Sequence, residues 1–569
     1  LTLGAACGFI MDLTLTAGVG LGWNHFCKDH PMTDVINVSS GFNKDATVSS
    51  GVLMDVFDSG TAVSTTVTDG GAQSVYAGGV AHGTMVDYGG VMSVGSGGFA
   101  SLATVNSGGA QYVYAGGAVS RTTLTDGGTQ YLSSGANAYR TEILSGGTEY
   151  VSSGATATND LNRLGRISVG EGGTTIGTHL FPGGHELVVS GGFSSGTVVG
   201  GGMLVLEGGK AVLTVVEGDR RAEGHEFVVS GASDAGAVVT SNAIQIVAYG
   251  GTTTGTILSG SLAYGAGVQK VVSGGVAYGT RLYDGGSLVV SDGGRAIDTI
   301  VESGGLYNVD TIQGPGGTFD LLVSSGGEES LGLQSDRSVN ATILAGGLEV
   351  VDGGTVIGTK LYGSSIVAGV TSSAMIMSGG YELVQSGGVV SGATIAGGVL
   401  NEDTSTISGP IDFTSTGGEM IIDTKAIPTS FVVSGFASGD SIQLAAVTYS
   451  AGATVAVDTA GVVTITNGGQ AYNLNIAGAT VGEADFVFTS GSVLTKSAAP
   501  QMQFLRPHVV ATGTGLDLNP GPEMFAARGG AMQPAAAPSL ATSATASIGV
   551  VPTIVTSAPH PLVVPPHGV

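Results

Sequence analysis

The stretch that decides the fold is Gly108-Gly109-Ala110-Gln111-Tyr112-Val113-Tyr114-Ala115-Gly116-Gly117-Ala118-Val119-Ser120-Arg121-Thr122-Thr123-Leu124-Thr125-Asp126-Gly127-Gly128. It opens and closes on a Gly-Gly pair 19 residues apart, with a second pair midway. The first pair recurs at Gly70, Gly89, Gly108, Gly127 and Gly146, and the midway glycine at Gly78, Gly97, Gly116, Gly135 and Gly154. Apolar residues keep the same step, as Val75, Val94, Val113, Leu132 and Val151, and again as Val86, Val105, Leu124 and Ile143. A column of small residues runs through Ala81, Ala100, Val119, Ala138 and Ala157. Columns sharing one period mark a repeat architecture.

Nineteen residues make one coil of two or three short strands with glycine at the corners. Stacked coils lie about 4.8 Å apart and exchange backbone hydrogen bonds, and their apolar columns merge into one interior. A single coil leaves its apolar face in water, so many are needed. The expected fold is therefore all-β, a parallel β-helix. Beyond about residue 155 the beat is irregular but traceable: Gly184-His185-Glu186-Leu187-Val188-Val189-Ser190-Gly191 returns as Gly224-His225-Glu226-Phe227-Val228-Val229-Ser230-Gly231. Dividing residues 35–425 by the period predicts roughly 20 coils and a rod on the order of 100 Å.

Outside the repeats the text changes. Residues 1–31 are broken by Asp12, lack a basic start, and are expected to lie outside the functional unit. The solenoid is expected over 32–428. Residues 429–497 read as alternating strands, such as Val462 to Thr466, expected to form a β module capping the open end. Residues 498–569 are rich in Ala, Pro and Ser, hold 11 of the 16 prolines, and are expected to be a flexible tail.

Composition limits the partners. The chain has 101 glycines and a net charge of −25 from 43 acidic and 18 basic residues, with no basic run to hold a phosphate backbone, so nucleic acid is excluded as a partner. No segment suits a transmembrane helix. Cys7 and Cys27 are the only cysteines, and pairing or two free thiols both remain open.

The unit quoted above, with Gln73, Gln111 and Gln130 and Thr84, Thr122 and Thr141 at fixed places, closely resembles the passenger repeats of the AIDA-type adhesins. The resemblance covers most of residues 32–425. It implies a right-handed parallel β-helix, secretion or display on a Gram-negative cell surface, and attachment or self-aggregation through host or neighbouring-cell glycans or proteins, or through a second rod. The tail shows neither the run of amphipathic strands of a membrane barrel nor a cysteine for a self-processing Hint-type domain, which leaves the export route open.

Parallel β-helices also include polysaccharide lyases and hydrolases, so a carbohydrate-active protein is the alternative, and an inert spacer a third. A glycosidase pair needs carboxyls roughly 5–10 Å apart. Asp69 and Asp126, in the column before the Gly-Gly anchor, are three coils apart, about 14 Å. Glu328 and Glu329 are adjacent and point to opposite faces. No catalytic residue, cofactor or metal site is expected. His185-Glu186 and His225-Glu226 read as repeat copying rather than a zinc motif. Gly192-Phe193-Ser194-Ser195-Gly196 matches a nucleophile elbow by composition alone. Asp126, Asp284, Asp292 and Asp352 before Gly-Gly read as turn formers rather than calcium ligands. The candidate contact surface is Tyr112, Tyr131 and Tyr150, each one residue before an inward position and so facing out. They stack either against a sugar or partner rod, or only against one another.

Overall fold

The computed structural model describes residues 34–497, except 219, 261–264, 310–316, 428–430 and 481–484. Cys7, Cys27, the expected leader at 1–31 and the tail at 498–569 lie outside the described residues.

In the coil quoted above, Ala110–Val113, Ala118–Ser120 and Thr123–Leu124 are the three strands. The first pairs in parallel with Val91–Val94 below and Thr129–Leu132 above, each rung 19 residues from the next. Repetition of this step builds one long sheet, and the other two strands of each coil build a second sheet opposite it. The chain is an all-β parallel solenoid of about 21 turns, with no helix among the described residues. At ~4.8 Å per turn the stack is about 100 Å long.

The Gly-Gly pair does two separate jobs. Gly108 has φ +71°, a left-handed conformation that costs a Cβ-bearing residue free energy. That conformation turns its carbonyl back to accept from Gly89 N at 3.1 Å, so the ladder continues through the corner. Gly109 closes the turn, donating to Asn106 O at 2.9 Å, and a Cβ there would be driven into the carbonyl oxygen of Val86 in the coil below. The corner between the two short strands is left-handed as well, at Leu102, Arg121, Arg140, Asn159 and Leu213, with φ between 54° and 58°.

The apolar columns read from the sequence form the core. Val75, Val94, Val113, Leu132 and Val151 are buried, as are Val86, Val105, Leu124 and Ile143 from the opposite sheet and the small column from Ala81 to Ala157. The last parallel rung joins Glu419–Ile422 to Ser441–Leu444. Val493–Lys496 then lies antiparallel on Ser441–Leu444, and Phe486–Phe488 on it in turn. Thr454–Val457, Val462–Asn467 and Gln470–Asn475 make a small antiparallel sheet of their own.

Candidate functional surface

On the outer face of the long sheet Tyr112, Tyr131 and Tyr150 occupy successive rungs in register. Their rings stack, with centroids 4.9 Å apart at 9° and 5.1 Å apart at 6°. The rung spacing of a parallel sheet is close to the offset-stacking distance of aromatic rings, so identical residues in one column stack without distortion. Tyr112 also lies 6.4 Å from Tyr114 in its own coil. Tyr150, at the upper end of the ladder, is 39% exposed, while Tyr112 and Tyr131 are half-buried by their neighbours. Burial pushes the Tyr131 hydroxyl pKa up, and the neighbouring Tyr150 adds to the rise.

The ladder is bounded by Ser93 below and Ser168 above. Beyond Ser168 the same outward column becomes aliphatic and aromatic: Leu187, Val205, Phe227 and Ile246 stand on consecutive rungs, half-buried by one another. Lys270 follows them. Sequence reading missed this stripe, because the interval between rungs there varies and the columns do not align by counting.

The inward face holds the second unexpected feature. Gln73, Gln111 and Gln130 point into the solenoid and are fully buried. Each accepts from the threonine 11 residues later in its own coil: Thr84 donates to Gln73 at 2.8 Å, Thr122 to Gln111 at 3.1 Å and Thr141 to Gln130 at 3.2 Å. Each amide donates to the rung below, Gln73 to Met54 Sδ at 3.4 Å, Gln111 to Met92 Sδ at 3.3 Å and Gln130 to Gln111 Oε1 at 2.5 Å. The same column carries Glu149, Glu186, Glu226, Glu329, Glu349 and Glu382, each at most 1% exposed. Carboxyl groups do meet here, Glu149 with Asp160 and Glu226 with Asp234, but inside the closed wall, where no substrate reaches them.

The other sequence candidates fall into structural places. Glu186 and Glu226 are interior and His185 is exposed, so each His-Glu pair is split across the sheet. Ser194 is buried and shares a hydrogen bond of 2.6 Å with Thr197. Glu329 is interior while its neighbour Glu328 is not. Asp126 and Asp292 adopt φ of 53° and 50°, the left-handed turn geometry that Asp tolerates. Among the described residues no group of three or more His, Cys, Asp and Glu side chains converges to hold a metal.

Residues 266–320 match the AIDA family model, described as "Adhesin of bacterial autotransporter system, probable stalk". A solved structure, the TibC-catalysed hyper-glycosylated TibA fragment spanning its residues 55–350, is 33% identical over 54% of this chain and the whole of that fragment. The chain belongs to the AIDA-type adhesin passengers. The TM-score to the TibA fragment is 0.41, and the fold of this AIDA-type chain rests on its own strand registers. Comparison with curated proteins gave no match. AIDA-type passengers are presented as autotransporter stalks, which are in general non-enzymatic and imply secretion or surface display in Gram-negative bacteria.

Proposed function

We propose that this chain is a surface-displayed adhesin rod that mediates cell attachment or self-aggregation through the outer face of its long sheet. The observation that carries the reading is the outward column of three stacked tyrosines and, past one serine rung at Ser168, Leu187, Val205, Phe227 and Ile246. Such a column offers aromatic and aliphatic surface on successive rungs, which suits a partner of the same repeat or a chain of sugar rings. Each contact is weak, about 0.5–1.5 kcal/mol for an aromatic pair, and a row of them acts by avidity. In the same reading residues 429–497 are a β module that closes the C-terminal edge, which is supported by the antiparallel strand Val493–Lys496 lying on the last parallel rung.

The test is a clumping assay with cells displaying the chain and the variant Tyr112→Ser, Tyr131→Ser, Tyr150→Ser. Because the three rings face out, the variant is expected to keep the β spectrum and thermal midpoint of the parent within a few degrees while clumping falls several-fold. Undiminished clumping by the folded variant would remove the ladder from the contact surface.

A further inference from the structure

The interior holds a chemistry that the adhesive face does not use. In the coils from Val52 to Ile143 the inward rung is an amide–hydroxyl pair, or a methionine at Met54 and Met92. Every donor in a Gln–Thr pair has an acceptor without any change of protonation. At Glu149 the glutamine is replaced by a carboxyl, and the position 11 residues later, threonine in the coil below, is Asp160. The two carboxyls come within hydrogen-bonding reach of each other, both fully buried.

The donors around them leave one oxygen of each carboxyl without a partner. Thr141 N donates to Asp160 Oδ1 at 2.8 Å, and the single Thr141 hydroxyl proton is shared between Gln130 Oε1 and Glu149 Oε1, each at 3.2 Å, while Glu149 Oε2 and Asp160 Oδ2 have no donor. The second pair is similar, with the Thr214 hydroxyl beside Asp234 as a further donor that favours its charged form. Gln245 Nε2 bridges Glu226 Oε2 at 2.8 Å and Asp234 Oδ2 at 3.2 Å, leaving Glu226 Oε1 and Asp234 Oδ1 without one. Two buried acceptors that face each other are reconciled by a proton, one oxygen donating and the other accepting.

No cation substitutes for it. The groups facing Glu149 and Asp160 are Gln130 and Ile167 on the long sheet and Thr141, Ala157 and Thr178 on the other, with Glu186 the next titratable neighbour. Those facing Glu226 and Asp234 are Leu204 and Gln245 on the long sheet and Ala211, Thr214, Ala237 and Thr253 opposite. Among the described residues no Lys, Arg or His is buried in the core.

We propose that these two rungs bind protons as the coils stack, each carboxyl pair holding a shared proton in place of the amide–hydroxyl contact, so that acid tightens the solenoid at Thr148–Val151 and Gly224–Val229 and alkali loosens it there. At neutral pH the solvated chain carries both carboxylates ionised, so closing each coil takes protons up from water, and opening it returns them.

The titration has the matching sign. Desolvation is the main cause that raises Asp160 and Asp234 each to about 6, and desolvation followed by the facing aspartate lifts Glu149 and Glu226 well above the ordinary glutamate value. In the solvated chain these groups titrate near 4. Stability from the pairs is therefore complete below about pH 4 and is lost as pH rises through about 6 and beyond.

Hydrogen exchange of the full chain at pH 5 to 8, corrected for intrinsic rates, tests this. A rise from about 4 to about 6 in one aspartate corresponds to roughly a 10-fold larger opening constant at pH 8 than at pH 5 for Thr148–Val151 and Gly224–Val229, and the rise of the facing glutamate adds to it. Ala72–Val75 and Ala110–Val113, on Gln–Thr rungs, should show little change. The variant Glu149→Gln, Asp160→Thr reproduces the Gln130–Thr141 rung, and so should abolish the dependence at 148–151 and leave that at 224–229. Equal pH dependence in all four segments, or its persistence at 148–151 in the variant, would overturn the proposal.

Discussion

At the scale of single residues, one dipeptide carries the coil, and its two members are replaceable to different degrees. Gly109→Ala pushes a methyl group into the Val86 carbonyl of the coil below and is expected to cost about 1–3 kcal/mol, read as a fall in the urea midpoint. Gly117→Ala, in the other turn, meets the Val94 carbonyl oxygen about as closely, but Ala136 and Ala155 stand in that column, so the stack there accommodates a methyl group and a smaller cost is expected. Leu213 points the other way. It holds φ of 56° with its side chain 64% exposed, where coils on either side place Gly196 and Gly236. Leu213→Gly relieves the left-handed strain, and an increase of about 0.5–1 kcal/mol is expected in the same measurement. The glycine period was plain in the sequence, whereas the difference between the two glycines of a pair was not. One answers to φ and the other to a carbonyl in a neighbouring coil, and only the stacking distance separates them.

At the scale of the strand and its rung, inside and outside were legible to unequal degrees. Tyr112, Tyr131 and Tyr150 were assigned outward by alternation against Val113, Leu132 and Val151, and the strand pairing sets them in one column. The same alternation puts Gln111 and Gln130 inside, but a polar residue there runs against the rule that cores are apolar, and the repeat alone supplied no partner. The partner was readable as the constant offset of 11 residues from Gln to Thr, seen at Gln73, Gln111 and Gln130 and again at Gln245 and Gln269. A variant pair tests the rung. Met92 is followed 11 residues later by Ala103, an apolar version of the same contact. Gln111→Met alone leaves the Thr122 hydroxyl only a thioether acceptor, as Thr65 has in Met54 Sδ at 3.7 Å, and should cost about 0.5–1.5 kcal/mol; adding Thr122→Ala should recover most of it. Additive losses in the urea midpoints would show that the two side chains do not act as one unit. The outward stripe from Leu187 to Ile246 escaped notice for a different reason: the spacing between paired residues changes from 18 at Leu187 to Val205 to 22 at Val205 to Phe227, which shifts the count between rungs while the ladder stays in register.

At the scale of the whole solenoid, the proposed adhesive contact is spread along a face, so no single residue would carry it and removing coils would act by how much of the face is lost. Parallel stacking also makes shortening possible without disturbing register. Joining Gly71 to Ala110, or Gly109 to Thr148, removes two complete coils and places equivalent rungs together, since Ala72, Ala110 and Thr148 share one column. The first deletion, of residues 72–109, keeps the three tyrosines; the second, of residues 110–147, removes Tyr112 and Tyr131. Rod length is the same in both. The decisive measurement is the clumping of beads coated at equal density with the parent chain and with each of these two shortened chains. Contact through the aromatic face predicts near-parental clumping for the chain lacking 72–109 and a several-fold loss for the chain lacking 110–147. Equal clumping by the two would contradict it.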